Sequence, residues 1–121
     1  MSLSPQPKPK KILIPLCEDE VAPRFDLATE VMITVGGEAR GRGEEKIVVL
    51  RQSSSEKLCH LILTEAVDVV ICSGIEEEYH QYLTWKRVQV FDSVVGPWTR
   101  VLERFYQGVL RPGDICYPKA D

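Results

Sequence analysis

Four cysteines and two histidines are the residues of this chain whose chemistry goes beyond packing: Cys17, Cys59, Cys72, Cys116, His60 and His80. Thiolate and imidazole are the natural donors for iron, zinc and iron-sulfur centres. No C-x-x-C spacing links the cysteines, so a shared site has to be assembled by the fold. Cys17 directly follows the apolar run Lys11 to Leu16, and Cys72 ends the run Val67 to Cys72. If those runs are neighbouring strands about 4.8 Å apart, the two thiols can approach one ligand. Arg24, in the loop after the first run, would supply the positive charge that lowers a thiol pKa. The plainer alternative is that each cysteine is a small buried apolar residue. Cys59 and His60 stand side by side on a helix, as an inward thiol and a solvated imidazole or as extra ligands completed by a second copy. Cys116 falls in the tail, where the sheet does not fix it.

Other chemistries find less support. Glu18, Asp19, Asp26 and Asp92 could gather at one mouth and hold the two metal ions of a nuclease, but the first strand carries no internal acid and loop acids are usually just solvated. Neither G-x-G-x-x-G nor G-x-x-x-x-G-K occurs, which leaves only the helix start at Gly96-Pro97 for a small anion. Trp85 and Trp98 with Tyr79 and Tyr82 could form a sticky face, although core packing is the commoner use of such rings.

The elements that must position these groups follow from periodicity. Lys11 to Leu16 reads as a buried first strand with Pro15 near its end, and residues 17 to 29 read as a loop. Val31 to Val35 and Lys46 to Arg51 are β-rich runs that pair as a hairpin with a long mobile tip over Gly36 to Glu45. Ser53 with Glu56 has capping-box spacing, so a helix runs to about residue 66 with Leu58, Leu61, Ile62 and Ala66 inward. Val67 to Cys72 is a central parallel strand ending at Ser73-Gly74. Glu76 to Glu78 open a second helix whose apolar side is Tyr79, Tyr82 and Leu83, and Val88 to Phe91 form the last strand. Pro97 begins a third helix and Gly108 caps it, with Val101, Leu102, Phe105 and Tyr106 buried.

This order predicts an α/β fold with a mixed five-stranded sheet, order 3-2-1-4-5, strand 2 antiparallel, and at least one helix on each face. Ligands in such sheets collect beyond the carboxyl ends of the strands at the topological switch, here the gap between strands 1 and 4.

The chain has 121 residues, enough for one core but not two. Residues 1–10 read as a disordered leader, 11–110 as a single domain and 111–121 as an irregular tail. Apolar residues at 44% and charged residues at 27% are ordinary globular composition. A net charge of −3 argues against a nucleic-acid groove, and no run is long enough to span a bilayer. Widely spaced cysteines in a chain of this size point to free thiols in the cytoplasm.

Five stretches together resemble the dinitrogenase iron-molybdenum cofactor biosynthesis family over about residues 11 to 110. They are Lys11-Ile-Leu-Ile-Pro, Ala22-Pro-Arg-Phe-Asp26, Val67-Asp-Val-Val-Ile-Cys-Ser-Gly-Ile75, Val94-Val-Gly96 and Phe105-Tyr-Gln-Gly-Val-Leu110. The resemblance implies a ribonuclease-H-like motif and a non-enzymatic carrier of an iron-sulfur or iron-molybdenum type cluster precursor, with cluster donor and acceptor proteins as partners. The homodimer invoked for extra ligands comes in beside that resemblance. On it, Arg24 stands where the family has a histidine, Asp26 where it has a glycine, and Ser73 at the first of its paired glycines. Arginine cannot ligate a metal, but it can pair with an anionic cluster. The expected cargo contacts are Cys17, Arg24, Cys72, Ser73 and Gly74, with Cys17, Cys72, Cys59 and His60 as metal ligands.

Overall fold

The computed structural model describes residues 9–36 and 43–118. Most of the expected leader and most of the Gly36 to Glu45 tip therefore lie outside the described residues.

The first apolar run becomes β1 (Lys10–Cys17), with Pro15 inside it opposite Val31. Proline is tolerated there because it needs no donor on that side, while its carbonyl accepts from the Ala22 N–H at 2.9 Å. Residues 17 to 29 are not a plain loop. They contain a two-residue strand, β2 (Glu20–Val21), and a 3-10 turn over Phe25–Leu27. β2 turns tightly back on β1, pairing Cys17 with Glu20, with Glu18 at φ 59° in the turn.

The hairpin forms as β3 (Glu30–Gly36) and β4 (Glu45–Val49), antiparallel to each other, with β3 antiparallel to β1. Next come α1 (Ser55–Thr64), β5 (Val69–Ile71), α2 (Glu77–Trp85), β6 (Gln89–Phe91) and α3 (Trp98–Tyr106). The sheet order is β4-β3-β1-β5-β6, with β5 parallel to both β1 and β6 and β2 paired to β1. The five long strands thus lie in the order the crossovers demand. The sixth, β2, is too short to leave a periodic signal.

Two helix starts differ from expectation for identifiable reasons. The cap of α1 is Ser54, which accepts from Lys57 N–H at 3.1 Å, because the Ser53 hydroxyl instead donates to the Ala28 carbonyl. Pro97 is the N-cap of α3 rather than its first residue. It is held extended by a bridge to Glu20, and Trp98 N–H donates to Asp19 O at 3.0 Å.

Alternating residues of the sheet feed two cores. Ile12, Ile14, Leu16, Met32, Val69 and Ile71 face α3, which adds Val101 and Leu102, with Phe105 and Tyr106 packed alongside. Leu13, Val31, Ile33 and Val70 face α1 and α2, which add Leu58, Ile62 and Leu83. The tail is tied down rather than loose: Ile115 bridges Val95, Cys116 N–H donates to Val95 O at 2.7 Å, and Cys116 joins the α3-side core. Gly96, at φ 136°, permits this approach, since a Cβ there would lie 2.9 Å from the Cys116 carbonyl.

Leu102 is fully buried, whereas Leu63 on α1 is partly exposed to solvent. Leu102→Ala is expected to cost about 2–5 kcal/mol in urea unfolding, and Leu63→Ala no more than about 0.5 kcal/mol. Equal losses would mean that α3 is not packed on the sheet as described.

Candidate functional site

The switch point between β1 and β5 is where a crevice is expected, and the chain fills it with its own backbone. Beyond Leu13, which is level with Val70, the β5 side of β1 is taken by β2 and the residues that follow it. Ala22 N–H donates to Pro15 O at 2.9 Å on one flank. On the other, Gly74 N–H donates to Pro23 O at 2.9 Å and Phe25 N–H to Gly74 O at 2.7 Å. Val21 N–H reaches Gly96 O at 3.0 Å, closing the same segment onto the loop before α3. Gly74 is required here by proximity, because a Cβ would stand 2.9 Å from the Pro23 carbonyl oxygen.

That wedge separates the two cysteines expected to share a ligand. Continuing the β1–β5 register puts Pro15 level with Cys72 and Cys17 two residues beyond. At about 3.3 Å per residue and about 4.8 Å between adjacent strands, the two-residue offset alone would put the backbones of Cys17 and Cys72 about 8 Å apart, and the inserted segment widens that further. The thiols also meet different surroundings. Cys17 is exposed in the β1–β2 hairpin, whereas Cys72 is fully buried with Phe25 in the α1/α2-side core. Burial, reinforced by the Asp92 carboxylate, pushes the Cys72 thiol up to about 12. Cys59 is buried in the same core and pushed up to about 11 by desolvation. Cys116 is also raised by burial, with Arg104 opposing the shift.

At the outer rim, Arg24 forms two hydrogen bonds to Asp26, at 3.0 and 2.8 Å, so its charge is already paired locally. It bridges Gly74 through the backbone. The loop after β6 is stitched to the loop after β5 by Val94 N–H to Cys72 O and Ser93 N–H to Ser73 O. Asp92 is thereby held beside α2, where its carboxylate lies 3.7 Å from His80 Nε2 and accepts from the Ser93 hydroxyl at 3.2 Å. The half-exposed His80–Asp92 pair was not singled out by spacing. Its signal was position: His80 lies in the first turns of the helix after β5, and Asp92 is the residue immediately after β6, so both belong to the carboxyl edge.

Cys59 and His60 sit elsewhere. They line an open cavity of about 420 Å³ between α1 and α2 with Glu56, Glu78, Tyr79 and Tyr82. Among the described residues, no group of three or more His, Cys, Asp and Glu side chains is placed to hold a metal ion. Of the aromatic residues, Trp98 packs against the α3-side core, while Tyr82 and Trp85 are exposed with the Lys86 ammonium over both rings.

No family model matches the chain, and none of the curated proteins does. Solved structures do. The crystal structure of PH0822 superposes with a TM-score of 0.75 at 20% identity, over 84% of this chain and 93% of that one. The crystal structure of a candidate dinitrogenase, MJ0327 from Methanocaldococcus jannaschii, gives 0.69 at 19% identity over 87% and 94%. A candidate NifB protein from Thermotoga, TM1290, placed in the DUF35 family, gives 0.64 at 19% identity over 85% and 92%. At these identities the likeness is one of fold.

Thiol accessibility checks this arrangement directly. A thiol reagent at neutral pH is expected to modify one cysteine, Cys17, in the native protein and all four after denaturation. A raised thiol pKa stabilises the fold below the unfolded-state value near 9.0, and that contribution is lost as pH rises from there toward about 12. Cys72→Ala should therefore flatten the fall in stability above pH 9; rapid native labelling of Cys72 would contradict its burial.

Proposed function

We propose that this chain is a non-catalytic carrier or scaffold for an iron-sulfur or iron-molybdenum type cluster precursor, received from one protein and passed to another. The cargo docks on the outer rim of the carboxyl edge rather than in the gap between β1 and β5. The observation that carries this reading is the single exposed thiol, Cys17, at that edge of a fold shared with a candidate dinitrogenase and a candidate NifB protein. One thiolate, with the His80 imidazole on the same rim, suits a preassembled cluster that keeps most of its own ligands. Arg24, exposed beside Asp26, would lie against an anionic face of such a cargo.

A second reading has its own support. Three thiols are buried and Arg24 is neutralised by Asp26, which favours a module that keeps the scaffold, binds no cluster and works through protein contacts.

Anaerobic reconstitution with iron and sulfide, followed by metal and sulfide analysis, separates the two. The carrier is expected to acquire visible absorbance and stoichiometric metal. Cys17→Ser should lose most of it, His80→Ala should lose part, and Cys72→Ala and Cys116→Ser should stay near wild type. No bound metal in a folded wild-type chain would leave the cofactor-free module as the account of this protein.

A further inference from the structure

Among the described residues, the outer edge of β4 is open. Leu50 N–H donates to Thr29 O at 2.9 Å, and the β3–β4 register pairs Val31 with Val48 and Ile33 with Lys46. Because backbone polarity alternates along a strand, Lys46, Val48 and Leu50 turn their N–H and C=O groups toward β3. Glu45, Ile47 and Val49 turn theirs outward, and among the described residues no strand pairs with Ile47 and Val49 on that side. The strand has no proline and no bulge, two of the devices that normally blunt an edge. Ile47 and Val49 are also exposed, at 46% and 72%, on the side of the sheet where their neighbour Met32 enters the α3-side core.

We propose that β4 is the contact strand of a two-fold dimer, in which antiparallel β4 strands of two copies join their sheets into one. The alternation permits only registers that set outward-facing residues opposite each other. With the axis through Val48, Ile47 pairs with Val49 of the second copy, and Glu45 falls opposite Arg51, twice by symmetry. Moving the axis to Ile47 places Glu45 against Val49 and discards both charge pairs. Like-for-like apolar pairing and opposite charges across the strands therefore select the Val48 axis. The second copy supplies the donors and acceptors that Ile47 and Val49 lack, and it covers their exposed side chains.

Sedimentation equilibrium of the full chain is the test, with Ile47→Pro, Arg51→Glu and the exchange Glu45→Arg with Arg51→Glu. The wild type is expected to approach twice the 13.7 kDa chain mass as concentration rises. Ile47→Pro deletes an outward N–H without touching the β3 ladder and should give a monomer. Arg51 is exposed, so Arg51→Glu should fold normally, with a native circular dichroism spectrum, and weaken dimerisation at least several-fold. The double exchange should restore it. A wild type that stays monomeric up to millimolar concentration, a dimer undiminished in folded Arg51→Glu or Ile47→Pro, or a double exchange that fails to restore association would overturn the proposal.

Discussion

The close approach of Gly74 to the Pro23–Phe25 backbone is the contact on which the functional end of this molecule depends. It is a pair of hydrogen bonds, 2.7 and 2.9 Å, made possible because residue 74 has no side chain. Together with Ala22 bonding to Pro15, it lets a short extended segment occupy the place where β1 and β5 diverge. Buried backbone groups must be paired, and here the chain pairs them with itself rather than leaving them for a ligand. Open parallel sheets usually offer a crevice at this point. In this protein the crevice is structure.

The environment of each thiol follows from that closure. Phe25, carried in by the segment, packs on the α1/α2 side of the sheet in the same core as Cys72. Removed from water and within the field of the Asp92 carboxylate, Cys72 is held in its neutral form. Cys17, two residues past the wedge, is turned to solvent by the tight hairpin into β2. The same segment reaches the far side through Val21 and Gly96, and through Trp98 and Asp19, so the start of α3 and the anchored tail depend on it as well. The chemistry left at this end lies on the rim: an exposed thiol, a paired guanidinium, and the His80–Asp92 couple.

Most of the architecture was legible because it rests on long-range periodicity. The runs at Lys11, Val31, Lys46, Val67 and Val88 are apolar enough to mark strands, and the intervening helical stripes force parallel crossovers, so the order of the five long strands follows. What escaped was local and bonded through backbone. β2 is two residues long, and the parallel contact of Arg24 with Gly74 is an isolated bridge; neither has a side-chain pattern. Strand adjacency, which holds for β1 and β5, implies that Cys17 and Cys72 are close, but adjacency says nothing of what else sits between the strand ends. Ser53 and Glu56 met the capping-box spacing, yet the Ser53 hydroxyl found a tertiary partner at Ala28 and Ser54 capped the helix. Cys116 looked unconstrained because a tail with two prolines has no periodicity, whereas backbone pairing with Val95 fixes it in the core.

If the switch point is closed by the chain itself, its hydrogen bonds should open only with the whole fold. Native-state hydrogen exchange at the amides of Val21, Ala22, Phe25 and Gly74 measures this residue by residue. The account predicts opening free energies close to that of global unfolding, matching Val70 in the central strand. Exchange of these four amides at near-unprotected rates, with Val70 still protected, would mean that the segment lies loosely over an accessible crevice, and that the site between β1 and β5 is open after all.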